Sequence, residues 1–383
     1  MQQRLQAYLS AHRREMFALL SRLVAINSGS TNKAGVDAVG RAIADALKDC
    51  GLSMEVVAET RVGDHLLMRT PCRADAAGQL LLVGHMDTVY PEDTGFTDYR
   101  EDDTRALGPG VIDMKGGLVA AIYALKALFA VGLLQRIPLA FICNSDEEIG
   151  SPRSRSLIMR EAGRSACALV LECGGPDGEV VTARKGNLSA RLTVNGRAGH
   201  AAFAGRDKAS AILEMAHKIV AIEALNDPSA GISANAGTVS GGIGPNTVAA
   251  HAESRLDFRY SRPGDGERLK TLLERIAAGA TVAGTTADLE IVSGRPPMPA
   301  SSANRRLFAR IESVAGRLGI SVHPEFRAGV SDANFIAQTG IPVVDGMGPI
   351  GGGDHSPAEY LIKASLPQRT LLLACVLAEF AKK

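Results

Sequence analysis

The 383-residue sequence has no C-x-x-C pair, no block of basic residues and no uninterrupted apolar run of membrane-spanning length. Its six cysteines, Cys50, Cys72, Cys143, Cys167, Cys173 and Cys375, are scattered, and three lie in or beside apolar runs. That pattern predicts buried free thiols in a reducing compartment rather than a disulfide framework or a thiolate zinc site. With a formal net charge of +1, there is no electrostatic case for nucleic acid or an anionic membrane. The longest apolar window, Leu118 to Leu134, is broken by Lys126 and Gly132 and keeps a helical period, which marks a core helix. Met1 to Glu15 is polar and no apolar signal core follows, so a cytoplasmic location is expected. No internal repeat or low-complexity tract appears.

What is present is an ordinary globular composition, 46% hydrophobic and 22% charged, in a chain long enough for two domains. Apolar residues at helical spacing predict helices through Met16–Val24, Val36–Leu47, Leu118–Phe129, Leu307–Leu318 and Leu373–Phe380, with Gly51 placed as a C-cap. Short runs without alternation, Leu80–Val83, Ile137–Cys143, Ala168–Leu171 and Ile341–Val344, read as strands covered on both faces. Together they predict an α/β fold with a mostly parallel, doubly covered sheet. The pattern changes in the middle of the chain. Leu188 to Val194 and Val248 to Phe258 alternate apolar with polar residues, as strands with one wet face do. Helical patterns at Ile212–Val220 and Leu269–Ile276 complete a β-α-β-β-α-β order, a ferredoxin-like α+β domain. The expected division is a discontinuous catalytic domain, formed by residues 1–183 and 296–383, with a second domain inserted at residues 184–295. The small sheet's open face or edge needs a cover, which invites dimerisation.

The acids and histidines of interest fall just after apolar strand runs: His85, Asp113, Glu147-Glu148, Glu172 and, through a longer loop, His355. The carboxyl ends of strands are where open α/β sheets bind ligands. Mixed histidine and carboxylate donors suit zinc, or cobalt and manganese as substitutes. Five donors with a spare acid suit a two-metal hydrolase, in which one carboxylate bridges and a shared water is the nucleophile. Adjacent Glu147 and Glu148 can divide the roles of ligand and general base. Asp87 is a natural partner for the other ring nitrogen of His85.

The motifs Gly84-His85-Met86-Asp87-Thr88-Val89, Gly108 to Gly117 with Asp113, Asp146-Glu147-Glu148-Ile149-Gly150-Ser151 and Gly353-Asp354-His355-Ser356 resemble those of the aminoacylase/carboxypeptidase family of co-catalytic di-zinc metallopeptidases. The resemblance covers nearly the whole chain and is closest to the glutamate carboxypeptidase branch, with acetylornithine deacetylase and succinyl-diaminopimelate desuccinylase as relatives. It implies that Asp113 bridges two zinc ions, that His85 and Glu172 complete one, and that Glu148 and His355 complete the other. It makes Glu147 the general base and implies a cis peptide after Asp113. It also implies that His200, in Gly199-His200-Ala201-Ala202, reaches a partner subunit's site to stabilise an oxyanion, and that Asn246 and Arg259 hold a substrate carboxylate. Arg327, Ser331 and Asp332 are further candidates near the last metal loop. Lys115 and Lys185 read as surface charges. His12, His65, His217, His251 and His323 read as structural.

The resulting expectation is a dimeric hydrolase that cleaves an amide bond next to a free carboxylate on a small peptide or N-acyl amino acid. Carboxypeptidase action ranks first and N-acyl amino acid deacylation second. A non-catalytic binding module is the rival from another class. Clustered carboxylates argue against it, because they are costly to bring together without a function.

Overall fold

The first unit is built on a six-stranded sheet, in the order Ser53–Val57, His65–Arg69, Leu139–Asn144, Gln79–His85, Ser165–Val170, Val343–Val344. The three pairings from Leu139–Asn144 to Val343–Val344 are parallel, and the two outer ones at the other edge are antiparallel. The computed structural model describes residues 1–72 and 78–381. This first unit comprises Met1–Ala183, Ala300–Phe326 and Ser331–Lys383.

The central strands are buried on both faces because their sequences offer no polar face. The helix Gly116–Ala130 is apolar nearly all round, and so it must be enclosed. The helices Gln2–Ala11, Arg13–Val24 and Ser365–Ala378 pack on it. Its start is pressed against the end of a central strand. A Cβ on Gly117 would lie 2.0 Å from the Leu171 carbonyl oxygen, an approach that only glycine allows. Some helix starts carry a side-chain cap. Asn32 Oδ1 accepts from Gly35 N at 3.0 Å, and Ser301 Oγ from Asn304 N at 2.9 Å.

Arg184–Pro299 together with Arg327–Val330 form the second unit, which therefore runs to 299 rather than 295 and takes in a short later segment. Its antiparallel sheet has the order Ser233–Gly241, His251–Tyr260, Gly186–Asn195, Thr286–Arg295. Helices Ala211–Glu223 and Asp265–Ala278 share one apolar core with the sheet's inward residues Leu192, Val194, Leu256 and Phe258. The inserted unit is ferredoxin-like and the first unit a mostly parallel α/β sheet, in agreement with the sequence patterns. A buried pair fastens the helices together. Glu214 accepts the Thr281 and Val282 amides, while Lys218, 3.0 Å from Glu214, donates to the carbonyls of Ile276, Ala277 and Gly279 at the end of the second helix.

Several elements were not visible in the sequence. Gln2–Ala11 is a helix although it offers only Leu5 and Leu9 to the core. Arg155–Ala162 is a helix, whereas the short strand that the sequence predicts at Gly237–Ser240 is present and extends to nine residues. Among the described residues no helix is long and apolar enough to cross a membrane. Cys50, Cys143, Cys167 and Cys375 are buried free thiols.

Candidate metal centre

The parallel strands deliver two of the candidates directly. His85 ends the strand Gln79–His85, and Glu172 follows two residues after Ser165–Val170. Asp113 stands before the helix Gly116–Ala130, and its peptide bond to Met114 is cis. Glu147 and Glu148 follow the strand Leu139–Asn144, and His355 sits in a glycine-rich turn at a φ of 60°.

These side chains converge. One oxygen of Asp113 lies 3.1 Å from His85 Nε2, and its other oxygen lies 3.2 Å from His355 Nε2. Glu172 is 3.6 Å from His85 Nε2, and Glu148 is 3.4 Å from His355 Nε2. The Glu147 carboxylate joins the His85 side, with donor atoms of His85, Glu147 and Glu172 all within 4.8 Å of one another. A second such group contains His85, Asp113 and Glu148.

The electrostatics follow from burial and crowding. Burial, reinforced by the neighbouring Asp113 charge, pushes Glu148 up to about 8 and holds Glu172 well above the usual carboxylate range. Burial also opposes the ionised form of Asp113, but its hydrogen bonds to His355 and His85 hold its carboxyl well below that range. Asp113 and Glu148 together push the His355 imidazole up to about 11. The two imidazoles offset the crowded acids only in part, since Glu148 and Glu172 stay raised beside them. Glu148 Oε1 is buried with no hydrogen-bond partner, which a structure tolerates only where something else meets the oxygen. Nitrogen and oxygen donors in this arrangement fit divalent cations, which replace the protons with a stronger counter-charge.

Asp87 is wholly buried and acts more widely than as a partner of His85. The His85 Nδ1 contact is to the Asp87 backbone carbonyl at 2.9 Å, with the carboxylate at 3.4 Å. The carboxylate itself accepts from Ser30 Oγ at 2.6 Å and from the amides of Glu147 and Glu148 at 3.1 and 3.2 Å. It therefore aims the two glutamates. The same loop is held from its other side. Asp146 accepts from Arg153 N, Ser154 N and Ser154 Oγ, and Asp332 accepts from Asn144 Nδ2 and Ser151 Oγ. Asp332 and Ser331 are buried within the scaffold, Ser331 on Asp345, which corrects their reading as substrate residues. Lys115 is no surface charge: it is 1% exposed and donates to the Ile26 carbonyl, and burial pushes it down to about 7. Lys185 is half-buried. His65 lies 2.8 Å from Ser145 Oγ beneath the same loop.

His200, Asn246, Arg259 and Arg327 lie in the second unit. His200 and Asn246 are brought side by side on a short ribbon, where the Ala201 amide donates to the Asn246 carbonyl. His200 is exposed beside Phe203, with ring centroids 4.9 Å apart. Arg259 is on a different strand and forks onto Asp257 at 2.9 and 3.2 Å, a pairing with no sequence signal beyond spacing. Arg327 ends the strand His323–Arg327, and its carbonyl accepts the Lys185 amide.

The sequence of residues 81–379 matches the model of peptidase family M20/M25/M40. The chain belongs to that family. M20 carboxypeptidases and deacetylases are metal-dependent enzymes, so this M20 protein is a metal-dependent hydrolase and the binding-module alternative falls away. Carboxypeptidase G2 of Pseudomonas sp. (strain RS-16) is 28% identical over 93% of this chain and 86% of its own length. Acetylornithine deacetylase of Edwardsiella ictaluri (strain 93-146) is 29% identical over 93% of this chain and 95% of its own. Among solved structures, an M20 family metallo-carboxypeptidase from Sulfolobus solfataricus superposes with a TM-score of 0.79 at 16% identity, covering 96% of this chain and 99% of that one. Aminopeptidase PepT from Bacillus cereus ATCC 10987 does so with 0.78 at 20%, covering 97% and 99%. These likenesses establish the fold.

Proposed function

We propose that this M20 protein is a di-zinc carboxypeptidase that cleaves an amide bond next to a free carboxylate. The observation that carries the proposal is Asp113, whose two oxygens each face a different imidazole, at 3.1 and 3.2 Å. A carboxylate so placed is suited to bridge two ions, with His85 and Glu172 on one side and Glu148 and His355 on the other. When bound, the ions supply Lewis-acid chemistry that acidifies the attacking water and polarises the amide carbonyl. Glu147 takes the proton of that water and later returns it to the leaving amine. Asp87 holds Glu147 in place through its amide. His200 stabilises the developing oxyanion from a partner subunit. Asn246, Arg259 and Arg327 receive the substrate carboxylate, for which an arginine fork is well shaped.

Dimerisation through the inserted unit is supported by its surface. The edge strand Ser233–Gly241 exposes Val239, and the helix beside it exposes Ile212, Leu213 and Val220. Buried free thiols at Cys50, Cys143, Cys167 and Cys375 support a reducing, cytoplasmic setting. The near-complete overlap with acetylornithine deacetylase supports N-acyl amino acid deacylation as the second reading.

Amine release from a matched panel tests both. Zinc-loaded protein and a chelated control are offered C-terminal glutamate peptides, benzoyl-glutamate, other dipeptides, and N-acetyl and longer N-acyl amino acids. Chelator-sensitive cleavage of the glutamate compounds is expected. Cleavage confined to N-acetyl amino acids selects the deacylase, and cleavage of none overturns both.

A further inference from the structure

Glu359 is wholly buried, and no sequence pattern singled it out. Its carboxylate accepts three backbone amides from the segment that carries Asp113: Gly110 at 3.0 Å, Ile112 at 2.9 Å and Asp113 itself at 3.1 Å. Tyr90 Oη adds a fourth contact at 2.8 Å and also lies 2.9 Å from the Ser356 carbonyl. The phenol has one proton, and the carboxylate is the stronger acceptor for it. Glu359 follows His355 by four residues in one turn, and its own amide donates to Ser356 O at 3.1 Å.

The two sides of the centre differ in what holds them. His85 and Glu172 stand at the ends of adjacent parallel strands, and the ladder between those strands sets their separation. His355 stands on no strand; its side chain is 56% exposed and its backbone is left-handed. The turn around His355 is joined to the Asp113 segment by Glu359, and Tyr90 Oη holds that turn at Ser356 and Glu359.

The geometry points to Glu359, with Tyr90, as the positioning residue that sets His355 against Asp113 and so selectively supports the ion held by His355 and Glu148. The inference rests on the two-ion reading above. A loss of Glu359 frees the Asp113 amide but leaves the strand ladder that sets His85 and Glu172. It removes the reference that His355 needs. Supporting contacts of this kind change metal affinity by about 10- to 100-fold.

The test is a competition titration of zinc against a chromophoric chelator, with metal content counted after dialysis, for wild type, Glu359→Gln and Tyr90→Phe. Glutamine keeps one acceptor oxygen but cannot take the Gly110 and Tyr90 protons as well as the other two. Wild type is expected to hold two ions. Glu359→Gln should hold one at wild-type affinity and the other about 10- to 100-fold more weakly. Tyr90→Phe should weaken the same ion by a smaller factor. A lost negative charge acting at a distance would weaken both ions together, and that result overturns the inference, as does an unchanged pair. Should Glu359→Gln fail to fold, Tyr90→Phe decides: a selective loss supports the assignment and no loss refutes it. Fewer than two ions on wild type defeats the two-ion reading itself, and the inference with it.

Discussion

Glu148 and Glu214 are both acids removed from water, one in each unit, and their pKa values move in opposite directions. Burial raises both. Around Glu214 the Thr281 and Val282 amides and the Lys218 ammonium more than offset it, so the carboxyl ends below its ordinary value. Around Glu148 the His355 imidazole lies 3.4 Å away, but burial and the Asp113 charge outweigh it and the carboxyl ends above its ordinary value. One cluster is neutralised by its own chain and serves the fold. The other requires a counter-charge from outside and serves chemistry. Burial of acids alone does not mark a functional site; the absence of internal compensation does.

Substitutions can sharpen this contrast or break it. The largest effects belong to the uncompensated cluster. Asp113→Ala should lose both ions in metal analysis and abolish turnover, and full retention of one ion would contradict a bridging carboxylate. Glu147→Gln should keep both ions while kcat falls by about 10²–10⁴-fold, as expected for removal of a general base. Next comes the compensated cluster. Glu214→Ala leaves Lys218 buried without its partner and should cost about 3–5 kcal/mol in denaturant unfolding, with metal content unchanged.

The pH dependence of Glu214 is a finer test. Its folded pKa lies below the unfolded value of 4.5, so its contribution is fully present above about pH 4.5 and is lost as pH falls through the folded value. The protection factors of the Thr281 and Val282 amides, taken against intrinsic exchange at each pH, should therefore fall on acidification in wild type, whereas Glu214→Gln should show low protection at every pH. A pH-independent difference between the two would break the contrast. The smallest effect is expected at the surface, where Lys33 pairs with Asp37 and Asp64 at 3.0 and 2.6 Å while about a third exposed. Lys33→Ala should cost only about 0.5 kcal/mol in the same unfolding measurement.

The sheet, the inserted unit and the convergence of acids and histidines were legible because apolar runs of the right length determine where strands end. A residue placed directly after such a run, like His85 or Glu172, lands at the site without further information. The supporting shell was not legible. Glu359 reads as an ordinary loop acid, Asp146 only as part of a motif and Asp332 as a further site candidate, since their partners are backbone amides or hydroxyls brought near only by folding. Lys115 was misread for the same reason: nothing local shows that Ile26 will lie within 2.9 Å. The helix Gln2–Ala11 escaped because two apolar residues suffice once a large neighbour supplies the rest of the contact.

The pairing of Val343–Val344 with Ser165–Val170 has a consequence for how the molecule is made. During synthesis the ribosome delivers one side of that ladder long before the other. Until residues 343 and 344 emerge, one edge of Ser165–Val170 stands with its amides and carbonyls unanswered, a template for the strand of any neighbouring nascent chain. The intervening unit can meanwhile complete its own core, because all four of its sheet strands come from that stretch. His355 arrives only after the missing strand. The order of birth therefore keeps the metal centre unfinished until the vulnerable edge has been covered, and full metal loading becomes a report that the chain has closed correctly.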